Sequence, residues 1–251
     1  MDSSLYEMIF KRKSFHLFRN IGNEKISAEE LNEIEEYFNI IKPLNKDIKV
    51  KMKIVNDSTT CRRGQEYCLL FYSEKKDNYL QNIGYIGEQL DLYLSSIDIG
   101  SLWFGIGKTT ELNYNDLDYV MMIAISKVPS DSFRKDMYKS KRKPIEEIYD
   151  GFKYKDIINI ARFSPSSCNT QPWFIKEENN ILMIYRYRKP GKRGIMPKDK
   201  VIYQNLVDIG IFLLFVELIL KENKYDFKTE ICNDNESNEA ELSLDFKIII
   251  Y

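Results

Sequence analysis

The chain of 251 residues contains a single histidine, His16. This scarcity excludes a metal site built from several imidazoles, and it makes any His-based catalytic triad depend on one residue. The four cysteines are too few for a disulfide scaffold, and Cys61 and Cys68 lack the spacing of paired metal ligands. We therefore expect reduced thiols in a cytoplasmic protein, and we predict no metal centre.

Neither sign of charge dominates, since 37 basic side chains face 38 acidic ones and the net charge is -1. A nucleic-acid partner is not expected, because binding to phosphates needs an excess of cations. The most apolar stretch, residues 209–220, contains Glu217 and follows Asp208, so it predicts no membrane span. The first residues lack a basic region followed by an apolar stretch, which predicts no signal peptide.

What the chain does contain is apolar and aromatic residues, 43% hydrophobic overall with 17 Tyr and 14 Phe, enough for a sizeable core. Ser27 and Glu30 form a predicted capping box at the start of a helix. Helical periodicity predicts helices at 4–11, from Ser27 to about 39, 78–97, 153–163 and about 203–222. Strand patterns cover 47–55, 67–72, 120–126, 173–175, 181–187 and 242–251, with a hairpin turn at 177–180.

A faint internal repeat runs through this order of elements. Residues 82–94 align without a gap with residues 208–220, sharing an Ile-Gly pair, an acid and two leucines. Upstream, each segment has a helix, a loop with proline and asparagine, and a pair of strands. The repeat predicts a fused pseudo-dimer with halves 1–150 and 151–251 and a site between them. The alternative is a chance similarity between apolar helices.

Two segments combine cations or small polar residues in patterns that suit a ligand. The basic motif at residues 11–19 contains Arg12 and Ser14, which can bind a phosphate together. Its alternative interpretation is a solvated helix end that complements the helix dipole. The loop at residues 165–173 places hydroxyls, amides and backbone N–H groups between two prolines, which suits the edge of a heteroaromatic ring. The alternative is an ordinary structured turn.

Two further segments have weaker patterns. Gly105 and Gly107 would let a ligand approach the backbone, although a core strand ending in a turn explains them equally. Cys168 has neutral neighbours and lies far from the histidine in sequence, so we do not expect a nucleophile. Basic residues also crowd one later loop, as a mobile lid for an anionic cosubstrate or as a solvated loop: Arg186, Arg188, Lys189, Lys192, Arg193, Lys198 and Lys200.

Taken together, these segments resemble the FMN-dependent nitroreductase family, in a divergent branch with two fused, unequal halves. Residues 12–18 are similar to its Arg-Arg-Ser-x-Arg-x-Phe motif, and residues 161–173 to its Ala-Pro-Ser-x-x-Asn-x-Gln-Pro-Trp loop. Residues 92–105 are similar to its long helix and Gly-x-Gly-Ser-x-Trp-x-Gly segment, and residues 141–147 to its Arg-Lys-Pro-x-Glu-Glu segment. The order departs from the family, because the Arg-Lys-Pro segment here precedes the Pro-Ser loop.

The resemblance implies an α+β fold of mixed, mainly antiparallel sheets flanked by helices, with one FMN site built by both halves. The ring would be lined from the second half, with Gly105 near the edge that bears N5. The phosphate or pyrimidine edge would meet Arg12 and Ser14, and Arg142 or Lys143 would reach the phosphate. The implied cofactor-binding residues are Arg12, Lys13, Ser14, His16, Gly105, Arg142, Pro165, Ser166, Ser167 and Asn169.

The implied activity is that of an NAD(P)H-dependent nitroreductase. A hydride would pass from NADH or NADPH through FMN to a small-molecule electron acceptor, a nitroaromatic or a quinone, by ping-pong kinetics. No catalytic side chain is implied, because the flavin makes the bonds. The protein would be a monomer with an internal pseudo-dimer, or a homodimer. The alternatives are a flavin-binding protein with a sensing or storage role and little turnover, and a colourless structural relic.

Overall fold

The computed structural model describes residues 2–19, 21–189, 196–232 and 241–251. They form two compact units: the first unit is Glu7–Asp136, and the second unit is Met1–Tyr6 together with Met137–Tyr251. The units differ from the predicted halves, because residues 137–150 group with the second unit. The assignment of each half to a nitroreductase-like unit stays a prediction.

Helix α1 (Asp2–Lys11) opens the chain. The first unit then contains α2 (Ala28–Ile40), β1 (Val50–Val55), β2 (Tyr67–Ser73), α3 (Tyr79–Ser96), β3 (Ile99–Trp103), β4 (Asn113–Tyr114) and β5 (Leu117–Lys127). Its strands form an antiparallel sheet in the order β1-β2-β5-β3, and β4 pairs with β5. The predicted capping box is confirmed: the Glu30 N–H donates to Ser27 Oγ at 3.2 Å, and the Ser27 N–H donates to Glu30 Oε2 at 2.9 Å.

The second unit contains α4 (Ile145–Ile148), β6 (Tyr149–Asp150), α5 (Lys155–Ala161), β7 (Trp173–Glu178), β8 (Ile181–Tyr187), α6 (Lys198–Glu222), β9 (Phe227–Ile231) and β10 (Leu242–Ile250). Its sheet has the order β6-β7-β8-β10-β9, in which only β6 runs parallel to its neighbour. Asn179 and Asn180 form the hairpin turn with φ of 50° and 62°, a conformation that asparagine tolerates well. The predicted α+β fold with mainly antiparallel sheets is confirmed.

Apart from the short elements β4, α4 and β6, both units share one order of elements: helix, strand, strand, helix, strand, strand. The equivalent strands lie in the same sheet order, β1-β2-β5-β3 in the first unit and β7-β8-β10-β9 in the second. A register irregularity also occurs in each sheet between equivalent strands, at Phe71/Tyr72 between β2 and β5 and at Leu244/Phe246 between β8 and β10. This shared topology supports the internal repeat that the sequence alignment indicated. The origin of the chain as a pseudo-dimer stays a prediction.

Helix α6 is the apolar centre of the second unit. It is longer than the predicted helix because it begins directly after Pro197, a residue that the start of a helix accommodates. Its length and its mean hydropathy of 1.8 would allow a membrane span, but 83% of its most apolar window is buried inside the protein. Phe212 stacks on Trp173 with ring centroids 4.7 Å apart, and both side chains are fully buried. Packing within the unit therefore accounts for the apolar surface of this helix.

Candidate functional site

The Pro-Ser loop of the second unit, residues 164–171, adopts an unusual backbone. Cys168, Asn169 and Gln171 have φ of 51°, 55° and 48°, in the left-handed region that residues with a side chain rarely occupy. Such a conformation persists only where neighbouring groups hold it. The loop is therefore a shaped element, and its supports can be identified from its hydrogen bonds.

Asp208 of α6 holds the loop through hydrogen bonds. The Ser167 N–H donates to both of its carboxyl oxygens, at 3.1 and 3.0 Å, and the Thr170 hydroxyl lies 3.4 Å from Oδ2. Asp208 is 3% exposed. Burial raises the pKa of Asp208 to about 8, although the hydrogen bonds from Ser167 and Thr170 act in the opposite direction. The carboxyl group is therefore an acceptor for the loop that is mostly protonated at neutral pH.

Arg142 and Lys143 also hold the loop through hydrogen bonds. Arg142 Nη1 donates to Asn169 Oδ1 at 2.9 Å, and its Nη2 donates to the carbonyls of Phe163 and Ser164 at 3.2 and 3.3 Å. The Lys143 N–H donates to Gln171 Oε1 at 2.7 Å, and Lys143 Nζ donates to the Gln171 carbonyl at 3.1 Å. The two cations thus bond to protein oxygens, where the sequence had placed them at a phosphate.

Two backbone donors of the loop remain available to a ligand. The backbone N–H groups of Ser166 and Cys168 donate to none of the residues that the structure describes. Pro165, Ser166 and Ser167 are partly exposed, and Asn169 is exposed. Donors on a loop that the protein already holds in shape can bind the acceptor atoms of a ligand without first having to be ordered.

The loop should loosen when Arg142 is replaced. In Arg142→Met, we expect faster amide hydrogen exchange across residues 165–171, because bonds worth about 1–3 kcal/mol are lost. Lys141→Met is the matched control, since the Lys141 side chain is exposed and makes no hydrogen bond or ion pair with the described residues. Equal exchange in both variants would contradict the supporting role of Arg142.

In the first unit, Arg12 of the basic motif is buried. It is 2% exposed, and its Nη2 donates to Asp91 Oδ2 at 2.8 Å while its Nε lies 3.5 Å from Glu88 Oε1. Nη2 also donates to Ser14 Oγ at 3.3 Å. The interpretation of the motif as a solvated helix end is therefore wrong for Arg12, whose guanidinium pairs with carboxyl groups of α3.

Trp103 and Gly87 complete this buried cluster. The Trp103 Nε1–H donates to Glu88 Oε2 at 3.2 Å and to Asp91 Oδ2 at 3.1 Å, and the Ser101 hydroxyl donates to Asp91. A Cβ on Gly87 would lie 2.5 Å from the Trp103 ring, so only glycine lets the indole reach the two carboxyl groups. The missing side chain at Gly87 thus lets α3 and β3 approach each other closely.

Glu88 and Asp91 lie at different distances from Arg12, with Oε1 of Glu88 at 3.5 Å and Oδ2 of Asp91 at 2.8 Å. Burial raises the pKa of Glu88 well above its usual range, and the neighbouring Asp91 adds to this effect while Arg12 opposes it. Burial thus favours the protonated form of Glu88, and we infer that Arg12 pairs chiefly with Asp91.

The remaining predicted residues of the first unit lie nearer its surface. Lys13 is exposed, and its Nζ donates to the Ser132 carbonyl at 3.0 Å. Ser14 is partly exposed and pairs with Ser101 in a β-bridge, and Gly105 follows β3 in a turn. His16 is exposed and contacts no polar partner among the described residues. The predicted cooperation of these residues with the Pro-Ser loop stays a prediction.

The structure describes only part of the basic segment for which a mobile lid or a solvated loop was predicted, so that choice stays open. Arg186 lies in β8 and is buried, with its Nε 3.0 Å from Asp245 Oδ2. Arg188 Nε donates to the Leu242 carbonyl at 3.0 Å. Lys198 and Lys200 belong to the first turn of α6, whereas Lys192 and Arg193 lie outside the described residues. Arg186 and Arg188 thus bond to residues of the neighbouring strand β10.

Sequence reasoning missed the three acidic residues on which both clusters depend: Glu88, Asp91 and Asp208. Each lies on the buried face of a long, mostly apolar helix. A carboxyl group at a core position is the signal that could have identified them, because such groups are buried only with partners. Among the described residues, no three His, Cys, Asp or Glu side chains gather as a metal site.

Comparisons with known proteins agree with this architecture. A protein from Thermotoga maritima MSB8, whose crystal structure is described as that of a "putative nitroreductase", superposes with a TM-score of 0.64 over 98% of this chain and 93% of its own. At 20% identity, that similarity concerns the fold alone. No curated protein matches the sequence. A family model described as "Putative TM nitroreductase" matches residues 4–219, most of the chain. The protein whose loop and buried ion pair are described above thus belongs to this nitroreductase family.

Proposed function

We propose that the protein is an FMN-dependent nitroreductase that passes a hydride from NADH or NADPH to an electron-poor acceptor, such as a nitroaromatic or a quinone. Nitroreductases are oxidoreductases, so the class of reaction follows from the family. The observation that carries the proposal is the family match across residues 4–219. The proposal includes a cytoplasmic protein, a monomer or homodimer, whose partner is the small-molecule acceptor.

The residues at the Pro-Ser loop fit the chemistry of a flavin. The ring edge of FMN carries mostly acceptor atoms, and the loop offers the N–H groups of Ser166 and Cys168 as donors. Pro165, Ser167 and Asn169 would line the ring beside them. When bound, FMN would supply the hydride chemistry.

The protein's own residues would position the flavin ring and stabilise the negative charge that develops at its edge. Asp208 fixes the Ser167 backbone, and Arg142 fixes the Asn169 side chain, so the donors would not need to reorganise as negative charge develops at the ring edge. We assign Arg142 and Lys143 this positioning role, and the phosphate contact that the resemblance implies for one of them stays a proposal. Lys13, Ser14, His16 and Gly105 remain proposed contacts from the first unit.

The test is a visible spectrum followed by two separate half-reactions. We expect the purified protein to bind FMN, and anaerobic addition of NADH or NADPH to bleach the flavin absorbance. Removal of the nucleotide and addition of a nitroaromatic or a quinone should then restore it, as ping-pong kinetics requires. The control is the same protein without nucleotide, whose spectrum should stay oxidised.

Two outcomes would contradict the proposal in different ways. A protein that neither retains FMN nor binds it when added would be no flavoprotein. A protein that binds FMN but is reduced by neither nucleotide would have the sensing or storage role.

A further inference from the structure

Residues 132–134 lie against the basic motif of the first unit. The Arg134 N–H donates to the Lys11 carbonyl at 2.8 Å, and Lys13 Nζ donates to the Ser132 carbonyl at 3.0 Å. Phe133 packs edge-on against Phe15, with ring centroids 5.6 Å apart. These contacts fix the backbone of Arg134 beside the end of α1, next to the arginine of the motif.

The side chain of Arg134 has no counter-charge there. It is partly buried, and its guanidinium makes no hydrogen bond or ion pair with any residue that the structure describes. Burial lowers the pKa of Arg134 to about 10, and the positive charge of Arg12 adds to the effect. A guanidinium has five N–H donors, and in this partly buried position the protein provides no acceptor for them among the described residues, so an anion could occupy the solvent side of the group. The site therefore favours an anion.

Arg12 does not supply this anion site, since Asp91 already balances its charge. Lys13 and Ser14 stand nearby on the motif, and Lys13 is exposed. We propose that Arg134 is the anion-binding side chain of the basic motif and that its ligand is a phosphate monoester. Arginine binds phosphate through two parallel charge-assisted hydrogen bonds, which suits a dianion of this shape.

The source of the phosphate rests on the proposed function, which offers two: the phosphate of FMN and the 2′-phosphate of NADPH. Each has a partner that lacks only that group, riboflavin for FMN and NADH for NADPH. The affinity for FMN divided by that for riboflavin, and the affinity for NADPH divided by that for NADH, each measure the contribution of the phosphate. Contributions from the ring or from the rest of the nucleotide cancel in these ratios.

We would measure both ratios by titration for wild type, Arg134→Gln and Lys135→Gln. Lys135 is the matched control, an exposed neighbouring cation with no hydrogen bond or ion pair to any described residue. We expect Arg134→Gln to reduce one ratio by about 10- to 100-fold, with the phosphate-free partner unaffected. The pair that responds identifies the source. Unchanged ratios in both pairs would overturn the inference, and Arg134→Lys should be intermediate because it keeps the charge without the fork.

A second measurement needs no flavin. Inorganic phosphate should raise the thermal unfolding midpoint of wild type and of Lys135→Gln more than that of Arg134→Gln. Because phosphate stabilises proteins in general, only the difference between these midpoint shifts reports binding at Arg134. An Arg134-dependent phosphate effect in a protein that binds no flavin would support the anion site and contradict the proposed function. A wild type that prefers FMN to riboflavin, with the same preference in Arg134→Gln and no Arg134-dependent phosphate effect, would support the function and overturn this inference.

Discussion

Replacing Arg12 with alanine is expected to lower the free energy of unfolding by about 3–5 kcal/mol. The substitution removes the only cation beside two buried carboxyl groups, Glu88 and Asp91, among the described residues. Asp91 would keep its charge without compensation or would have to bind a proton, and either change costs folding energy. Urea unfolding at neutral pH measures the loss.

Two isosteric variants separate the roles of the carboxyl groups. Glu88→Gln should change the stability by less than about 1 kcal/mol, because burial favours the protonated acid and a neutral amide has the same shape. Asp91→Asn should resemble Arg12→Ala, since it removes the carboxylate nearest the guanidinium, 2.8 Å from Nη2. If Glu88→Gln proved as damaging as Asp91→Asn, Glu88 would carry a charge and our assignment would be wrong. Flavin loss in Arg12→Ala should be interpreted only alongside this change in stability.

Elements with a strong local signal were predictable from the sequence. The capping box at Ser27 and the apolar period of α3 are local patterns, and the structure reproduces both closely. Strand β9 was missed because its alternating charged residues and half-buried apolar ones give a weak strand pattern at the edge of the sheet. The start of α6 was missed because its first turn is charged, which hides the helical period.

The types of residue at the candidate site could be predicted from the sequence, but their hydrogen-bond and ion-pair partners could not. The Pro-Ser loop could be located because proline, serine and asparagine favour shaped turns. Its support by Asp208 links residues 41 positions apart, and the pairing of Arg12 with Asp91 spans 79 positions. Such pairings arise when helices pack on sheets, and no local period encodes them. Arg12 therefore looked like a free cation in the sequence, although it forms a buried ion pair with Asp91.

Replacing Asp208 with asparagine is expected to stabilise the protein, and to do so more strongly as the pH rises. The folded pKa of about 8 lies above the unfolded value of about 3.9. Between these values the unfolded chain releases the proton that the folded chain keeps, so the stability that Asp208 contributes below about pH 4 is lost progressively up to about pH 8. Asparagine does not titrate. The free energy of unfolding of Asp208→Asn, relative to that of wild type, should therefore rise by about 3 kcal/mol from about pH 5.5 to about pH 8.5.

The equivalent position in the first unit indicates that an amide can serve there. Asn82 aligns with Asp208, and its Oδ1 accepts the Asn45 N–H at 3.0 Å, just as Asp208 accepts the Ser167 N–H. In Asp208→Asn, the amide oxygen can keep the Ser167 bond, so the loop should retain its shape. Asp208→Ala is the contrasting variant, because it leaves that N–H unpaired and should cost about 1–3 kcal/mol.

The pH dependence of urea unfolding, compared between wild type and the two variants, decides whether Asp208 is a buried acid that supports the loop. A constant difference between wild type and Asp208→Asn at every pH would mean that the carboxyl group does not titrate in this range. Flavin affinity adds an independent readout: we expect it to survive in Asp208→Asn and to fall in Asp208→Ala. Equal affinity in all three proteins would mean that the bond to Ser167 does not shape the flavin site, because the loop would then hold its donors in place without Asp208.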